Sequence, residues 1–154
     1  MFKEMRRKDK QLSIDENIKI LEDGKYGILS TISTNGYPYG IPLNYVYHNG
    51  SIYFHSAVEG HKLENIENNS KVAFCVVSDV EIIPREFNTK YKSVIVFGNA
   101  KEIVDSEKEE ALLLLIEKYS NEFIDQGKEY IQNSKNKTRV VKIEIEHIAG
   151  KAQK

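Results

Sequence analysis

Tryptophan is absent from this chain of 154 residues, and cysteine occurs once, at Cys75. A lone thiol excludes an internal disulfide, and with it the stapled secreted scaffolds that rely on several. Only three prolines punctuate the chain, and no repeat or low-complexity tract marks a linker. No run approaches the roughly 20 consecutive apolar residues of a membrane span. The charged start, MFKEMRRKDKQLS, is followed by no apolar stretch of the kind a secretory signal carries. The expected setting is therefore the cytoplasm, with no membrane partner. A net charge of −1 lacks the basic excess of a general nucleic-acid binder, so no nucleic-acid partner is expected either.

What is present suffices for one domain spanning residues 1–154, with 40% of residues hydrophobic. A chain this long can bury roughly 70% of its unfolded surface without staples. Residues 1–12, with Lys3, Arg6, Arg7, Lys8 and Lys10, read as a basic arm, either flexible or packed across a partner. Ser13 and Glu16 have capping-box spacing, which predicts a helix over Ile14–Asp23 with Ile14, Ile18 and Leu21 inward and Gly24 at its end.

From Tyr26 the pattern turns to strands. Tyr26–Thr34 runs into Asn35-Gly36, Tyr39–His48 into Asn49-Gly50, and Ser51–Ser56 follows, which predicts a three-stranded meander. Gly60–Asn68 reads as a short helix. Lys71–Ser78 and Lys92–Val104 read as long strands, with an irregular crossover over Asp79–Tyr91. A helix from Asp105 with a stripe of Leu112, Leu113, Ile116 and Tyr119 comes next, then a helical piece over Glu122–Gln132. The last strand is Thr138–His147. The sum is mainly β with peripheral helices: six antiparallel strands in a small closed barrel.

Two stretches carry chemistry. In Phe54–Leu63, FHSAVEGHKL, a strand ends, a loop holds Gly60, and a helix begins near His61. Free backbone N–H groups and the positive helix end, joined by Ser56, His61 and Lys62, make a seat for a phosphate; the alternative is a solvated helix start. In Gly36–Tyr47, GYPYGIPLNYVY, two prolines and two glycines imply an edge or bulge with backbone groups open to a planar ligand, or else a twisted corner. The four histidines (His48, His55, His61 and His147) lack metal-ligand spacing, so no metal is expected, while axial haem ligation stays open. Cys75, inside the apolar run Val72–Val77, reads as a small core residue.

These blocks, together with TKYKSVIVFGNA, resemble the FMN-binding split-barrel superfamily related to pyridoxamine 5′-phosphate oxidase, and within it the 5-nitroimidazole resistance proteins. The resemblance runs from about Arg6 to Ala152. It implies a homodimer of six-stranded split β-barrels with FMN at the subunit interface. It also implies FMN-binding roles for Phe54, His55 and Ser56 at a strand end and for Gly60, His61 and Lys62 at the phosphate. Pro42, Leu43, Asn44 and Tyr45 would line the isoalloxazine, and Ser93 would supply a polar contact. Where the oxidase carries Ser-Arg-Lys at the phosphate, this chain has His61 before Lys62, which makes the local charge pH-dependent. The oxidase also grips flavin and substrate through tryptophan and arginine in a C-terminal extension. With no tryptophan and an end reading EHIAGKAQK, this chain is not expected to oxidise pyridoxamine phosphate.

The implied activity is a reductase that passes electrons from NAD(P)H or another donor through FMN to a small aromatic acceptor such as a 5-nitroimidazole. His55 is the candidate proton donor. The alternative is a non-catalytic flavin or haem carrier or sensor using the same pocket.

Overall fold

The turn at Asn49-Gly50 works because both residues adopt positive φ, 47° and 79°, which a two-residue hairpin loop demands. A computed structural model describes residues 1–154, and it folds the chain around this and similar reversals. The strands are β1 Gly27–Ile32, β2 Pro38–Leu43, β3 Val46–His48, β4 Ser51–Ala57, β5 Lys71–Ile83, β6 Asn88–Ile103 and β7 Thr138–Gln153. They form one antiparallel sheet in the order β2-β1-β5-β6-β7-β4-β3. The helices are α1 Ile14–Asp23, α2 His61–Asn68, α3 Asp105–Tyr119 and α4 Ile124–Ser134.

Six strands were expected and seven are found, in a sheet that does not close. The expected strand Tyr39–His48 breaks at Asn44–Tyr45 into β2 and β3, which become the two edges of the sheet. The backbone of Tyr45 finds its partner in a side chain rather than a ladder: its N–H donates to the Tyr119 hydroxyl at 3.0 Å. The chain thus passes from one sheet edge to the other through two residues.

Sequence alternation divides each strand between two surfaces. Leu29, Phe54, Phe74, Val94, Val96 and Ile143 are fully buried in the core that the sheet encloses. Each such side chain contributes about 1.5–3 kcal/mol by leaving water. A second core lies between the sheet and the α3–α4 pair, where Tyr53, Val140 and Ile103 meet Ala111, Leu112, Leu115 and Ile131. The inward stripe of α3 is therefore Ala111, Leu112 and Leu115. Leu113 and Ile116 flank it and Tyr119 is 40% exposed, because the helix is rolled relative to the expected stripe. In α1 the buried face is likewise Asn17, Ile20 and Leu21, with Ile14 in solvent. Its capping box forms as expected: Glu16 N–H donates to Ser13 Oγ and Ser13 N–H to Glu16 Oε2.

Asp79–Tyr91 is no irregular crossover. After a bulge between Ser78 and Glu81, β5 and β6 continue to pair (Glu81 with Lys90, Ile83 with Asn88) up to a tip at Pro84–Phe87. Proline is accommodated because it opens that tip and occupies no ladder position. The resulting arm carries Val80, Ile82 and Phe87 at 60, 71 and 98% exposure. Cys75 is not a core residue either. Val72, Phe74 and Val76 point inward, which leaves Cys75 half-buried on the outer face with Ala73 and Val77. The N-terminal arm lies against the sheet: Phe2 stacks on Phe97 and His147 at 5.3 and 4.8 Å, and Leu12 N–H donates to Gly150 O.

Candidate functional site

Strand β4 sends Phe54 and Ser56 inward and His55 outward, by simple alternation. Ser56 is buried, and its hydroxyl has no hydrogen-bond partner within the chain. Beyond it the chain turns at Gly60, whose φ of 152° and ψ of 167° belong to a region essentially reserved for glycine. The first turn of α2 then leaves backbone N–H groups without intrahelical acceptors, and no side chain caps them. Lys62, half-buried, stands in this turn.

The loop is steadied from a distance. Arg139, at the start of β7 and paired across the sheet with Ser56, donates to the Val58 carbonyl at 3.1 Å. Its guanidinium is also paired with Glu102 at 2.7 Å and Glu67 at 3.3 Å, which raises its pKa further. Sequence reading did not single out Arg139; its only signal is a cross-strand pairing that no local motif encodes.

His61 turns away from the loop. Its Nε2 lies 3.1 Å from Ser33 Oγ, and its ring sits 4.1 Å from that of Tyr39. Asn65 completes this cluster by donating to Thr31 Oγ1 and Ser33 Oγ at 2.9 and 3.2 Å.

Of the expected ring-lining residues, Pro42 and Asn44 are exposed on the edge strand and the turn that follows it. Leu43 packs against the main core, and Tyr45 is fully buried there with its hydroxyl donating to Leu21 O at 2.6 Å. Ile41, Leu43 and Tyr45 share the inward side of the strand period, so Tyr45, like Phe54, presents no side chain to a ligand. Ser93 is buried on β6 between Val77 and Lys151, at the end of the sheet that α1 covers. The loop at Gly60 lies at the other end, beside Ser33, so a single chain does not bring Ser93 to it.

His55 instead lines a cavity of about 190 Å³ between the sheet and the α3–α4 pair. Asn44 reaches the same cavity from the strand break, Tyr130 and Thr138 bring hydroxyls, and Tyr119 lines it with its own hydroxyl engaged by Tyr45 and Lys25. Burial, and secondarily the Lys62 ammonium, hold the His55 pKa below its ordinary value. No acidic or cationic side chain lines this cavity, whereas larger hollows of about 540 and 510 Å³ on the acidic flank of α3 carry several.

Near the end of β4 an unpartnered buried hydroxyl, open helix N–H groups and one ammonium are donors of the kind a phosphate monoester accepts from, with Glu59 and Glu64 the carboxylates of the same segment. No group of three or more His, Cys, Asp or Glu side chains is placed to hold a metal ion. No helix is long and apolar enough to cross a membrane.

Residues 13–152 match the family model described as pyridoxamine 5′-phosphate oxidase. No curated protein sequence matches significantly. Among solved structures, the fold is similar to that of a candidate 5-nitroimidazole antibiotic resistance protein from Bacteroides thetaiotaomicron, with a TM-score of 0.75 and 20% identity over 92% of this chain and 86% of that one. It is similar to the FAD and haem binding protein of Mycobacterium smegmatis, with a TM-score of 0.83 and 16% identity over 94 and 74% of the two chains. A FAD-binding protein from Mesorhizobium loti gives 0.67 and 23% over 94 and 97%.

Proposed function

The chain belongs to the pyridoxamine 5′-phosphate oxidase family, and on that premise we propose that it is an FMN-binding reductase for a small aromatic acceptor, such as a 5-nitroimidazole. The observation that carries the flavin reading is the buried, unpartnered Ser56 hydroxyl at the strand end that leads through Gly60 into the uncapped first turn of α2. A phosphate there would accept from Ser56 and the helix N–H groups, while Lys62 balances its charge. The ring would lie along the exposed edge at Pro42 and Asn44. Flavin, when bound, supplies hydride and single-electron transfer from a donor such as NAD(P)H. The chain's own part is to hold the phosphate, offer the edge of β2 to the ring, and place His55 as proton donor.

The active unit in this reading is a homodimer with the flavin between subunits. Two features support it: Ser93 lies away from the phosphate loop of its own chain, and the outer sheet face leaves Val77, Ile95 and Phe97 exposed next to the apolar arm. A second copy would cover these surfaces and bring its own Ser93 side of the sheet to the cofactor.

The absorbance spectrum of the purified protein tests the reading. Flavin bands that bleach with NADH or NADPH under anaerobic conditions, and recover on adding a 5-nitroimidazole, support the reductase. The similarity to the FAD and haem binding protein of Mycobacterium smegmatis supports a second reading, a flavin or haem carrier. Bound flavin that neither nucleotide reduces, or a Soret band, would favour that reading instead.

A further inference from the structure

The α3–α4 pair builds a cavity whose composition differs from every other large hollow on the molecule. Its apolar lining is Leu112, Leu115, Ile116 and Ile131, all from α3 and α4, while the strand side contributes the polar Asn44, His55 and Thr138. Thr138 and Tyr130 make no hydrogen bond with their side-chain hydroxyls inside the chain. Asn44 spends its amide N–H on Lys25 O at 3.0 Å, which leaves its carbonyl oxygen as an acceptor. His55 adds one donor and one acceptor in its neutral form.

Size narrows the ligand. An apolar cavity of about 150 Å³ takes up benzene, so about 190 Å³ accommodates one substituted five- or six-membered ring and not the three fused rings of a flavin. Charge narrows it further, because a phosphate or carboxylate entering here would leave water and meet no cationic side chain in the lining, Lys62 standing outside it.

We propose that this cavity is a binding site for an uncharged single-ring aromatic or heteroaromatic molecule, its ring on the apolar α3–α4 lining and its polar substituent at His55 and Thr138. Within the reductase reading, which supplies its role but not its chemistry, the cavity is the acceptor subsite. His55 then links the two sites, since its strand also carries Ser56 toward the phosphate loop. The acceptor's specificity is set by α3 and α4 of the same chain.

The test is an amide NMR titration of the protein as purified with 2-methyl-5-nitroimidazole, and with benzoate as an anionic ring of similar size. Saturable shifts are expected at His55, Ser134 and Thr138, with benzoate at least tenfold weaker. Ser134→Phe fills the cavity from the end of α4 and should abolish those shifts. Thr138→Val keeps the strand and should weaken binding about three- to tenfold, the size of one net hydrogen bond. Shifts that survive Ser134→Phe in a folded protein and are unchanged by Thr138→Val would overturn the proposal, as would benzoate binding equally well. Flavin content, read on the same samples, separates the two claims. A flavin-free protein that still binds the ring fails the reductase reading alone, and a flavin-loaded protein that ignores it fails the cavity alone.

Discussion

The hydroxyl of Tyr119 lies 3.0 Å from the amide nitrogen of Tyr45 and 2.9 Å from its carbonyl oxygen, and 2.8 Å from the carbonyl of Lys25. One phenol at the end of α3 thus occupies the place a neighbouring strand would take, at the point where the chain crosses from one sheet edge to the other. It accepts from Tyr45 N–H and shares its own proton between two carbonyls. Tyr119→Phe would leave these groups without that partner. A loss of about 1–3 kcal/mol is expected, because part-buried backbone groups left unpaired carry their desolvation cost. Urea unfolding measures it, and amide exchange at Tyr45 should quicken more than at Phe74. Unchanged exchange at Tyr45 would remove Tyr119 from this role.

Lys118 lies just before that phenol. Its ammonium sits 3.9 Å over the ring of Tyr45 and has no hydrogen-bond partner. Burial pushes its pKa down to about 8, with Asp23 opposing weakly. The unfolded chain, with a value near 10.4, then holds the proton more tightly than the folded one. Stability from this group should rise as pH climbs from about 8 toward 10. Lys118→Met should flatten that rise and stabilise the protein at pH 7 by roughly 1 kcal/mol, allowing for solvent screening. Thermal unfolding at several pH values decides it, and an unaltered slope in the variant would refute the assignment.

The loop proposed to hold the phosphate separates two residues that share a motif. Lys62 stands free in the first turn of α2, whereas His61 is engaged by Ser33 and Tyr39. Lys62→Ala should therefore weaken FMN retention roughly tenfold, the size of a charge-assisted contact. His61→Ala should instead lower stability and leave FMN affinity within about threefold. Equilibrium dialysis of FMN against both variants distinguishes them, and equal losses would show that His61 also reaches the phosphate.

Gly60 supplies a purely conformational test. A Cβ there would meet nothing within 4 Å, yet φ of 152° is strained for any other residue. Gly60→Ala should cost about 1–3 kcal/mol of backbone strain or shift the loop. In either case FMN retention should fall more than with Glu59→Ala, the neighbouring control. Full retention in both would argue against a fixed loop.

The parts legible in the sequence are those whose partners lie close along the chain. The Ser13–Glu16 box, the Asn49-Gly50 turn and the strand-loop-helix at Phe54–Lys62 each encode their own geometry within a few residues. Tyr45 and Tyr119 lie 74 residues apart, so the break that turns six expected strands into seven has no local signature. Arg139 meets Val58 across 81 residues for the same reason. Cys75 and the faces of α1 and α3 were misjudged differently: apolarity marks what is sheltered, but only packing tells which of two apolar faces is inside. The ring cavity was invisible because it is assembled from the β2–β3 break, β4, α3, α4 and β7, and of its lining only Asn44 and His55 lay in the two stretches read as carrying chemistry.

His55 offers the last test, because the donor role proposed for it depends on its charge. Burial, then the nearby Lys62 ammonium, lower its pKa below the ordinary value, so at pH 7 the imidazole is neutral. The protonated form that delivers a proton grows only as pH falls below about 6.5. Acceptor reduction should therefore rise toward acid through an inflection under that value. Folding stability should move the opposite way, because the unfolded chain takes up the proton first: the contribution of neutral His55 is lost as pH falls toward its folded pKa. His55→Gln should erase the acid limb of the turnover profile while FMN stays bound. Lys62→Ala, assayed with FMN in excess, should move the limb to higher pH by removing the neighbouring like charge. Turnover profiles of the two variants over pH 5–8 read this directly, and an intact acid limb in His55→Gln would assign the proton to another group.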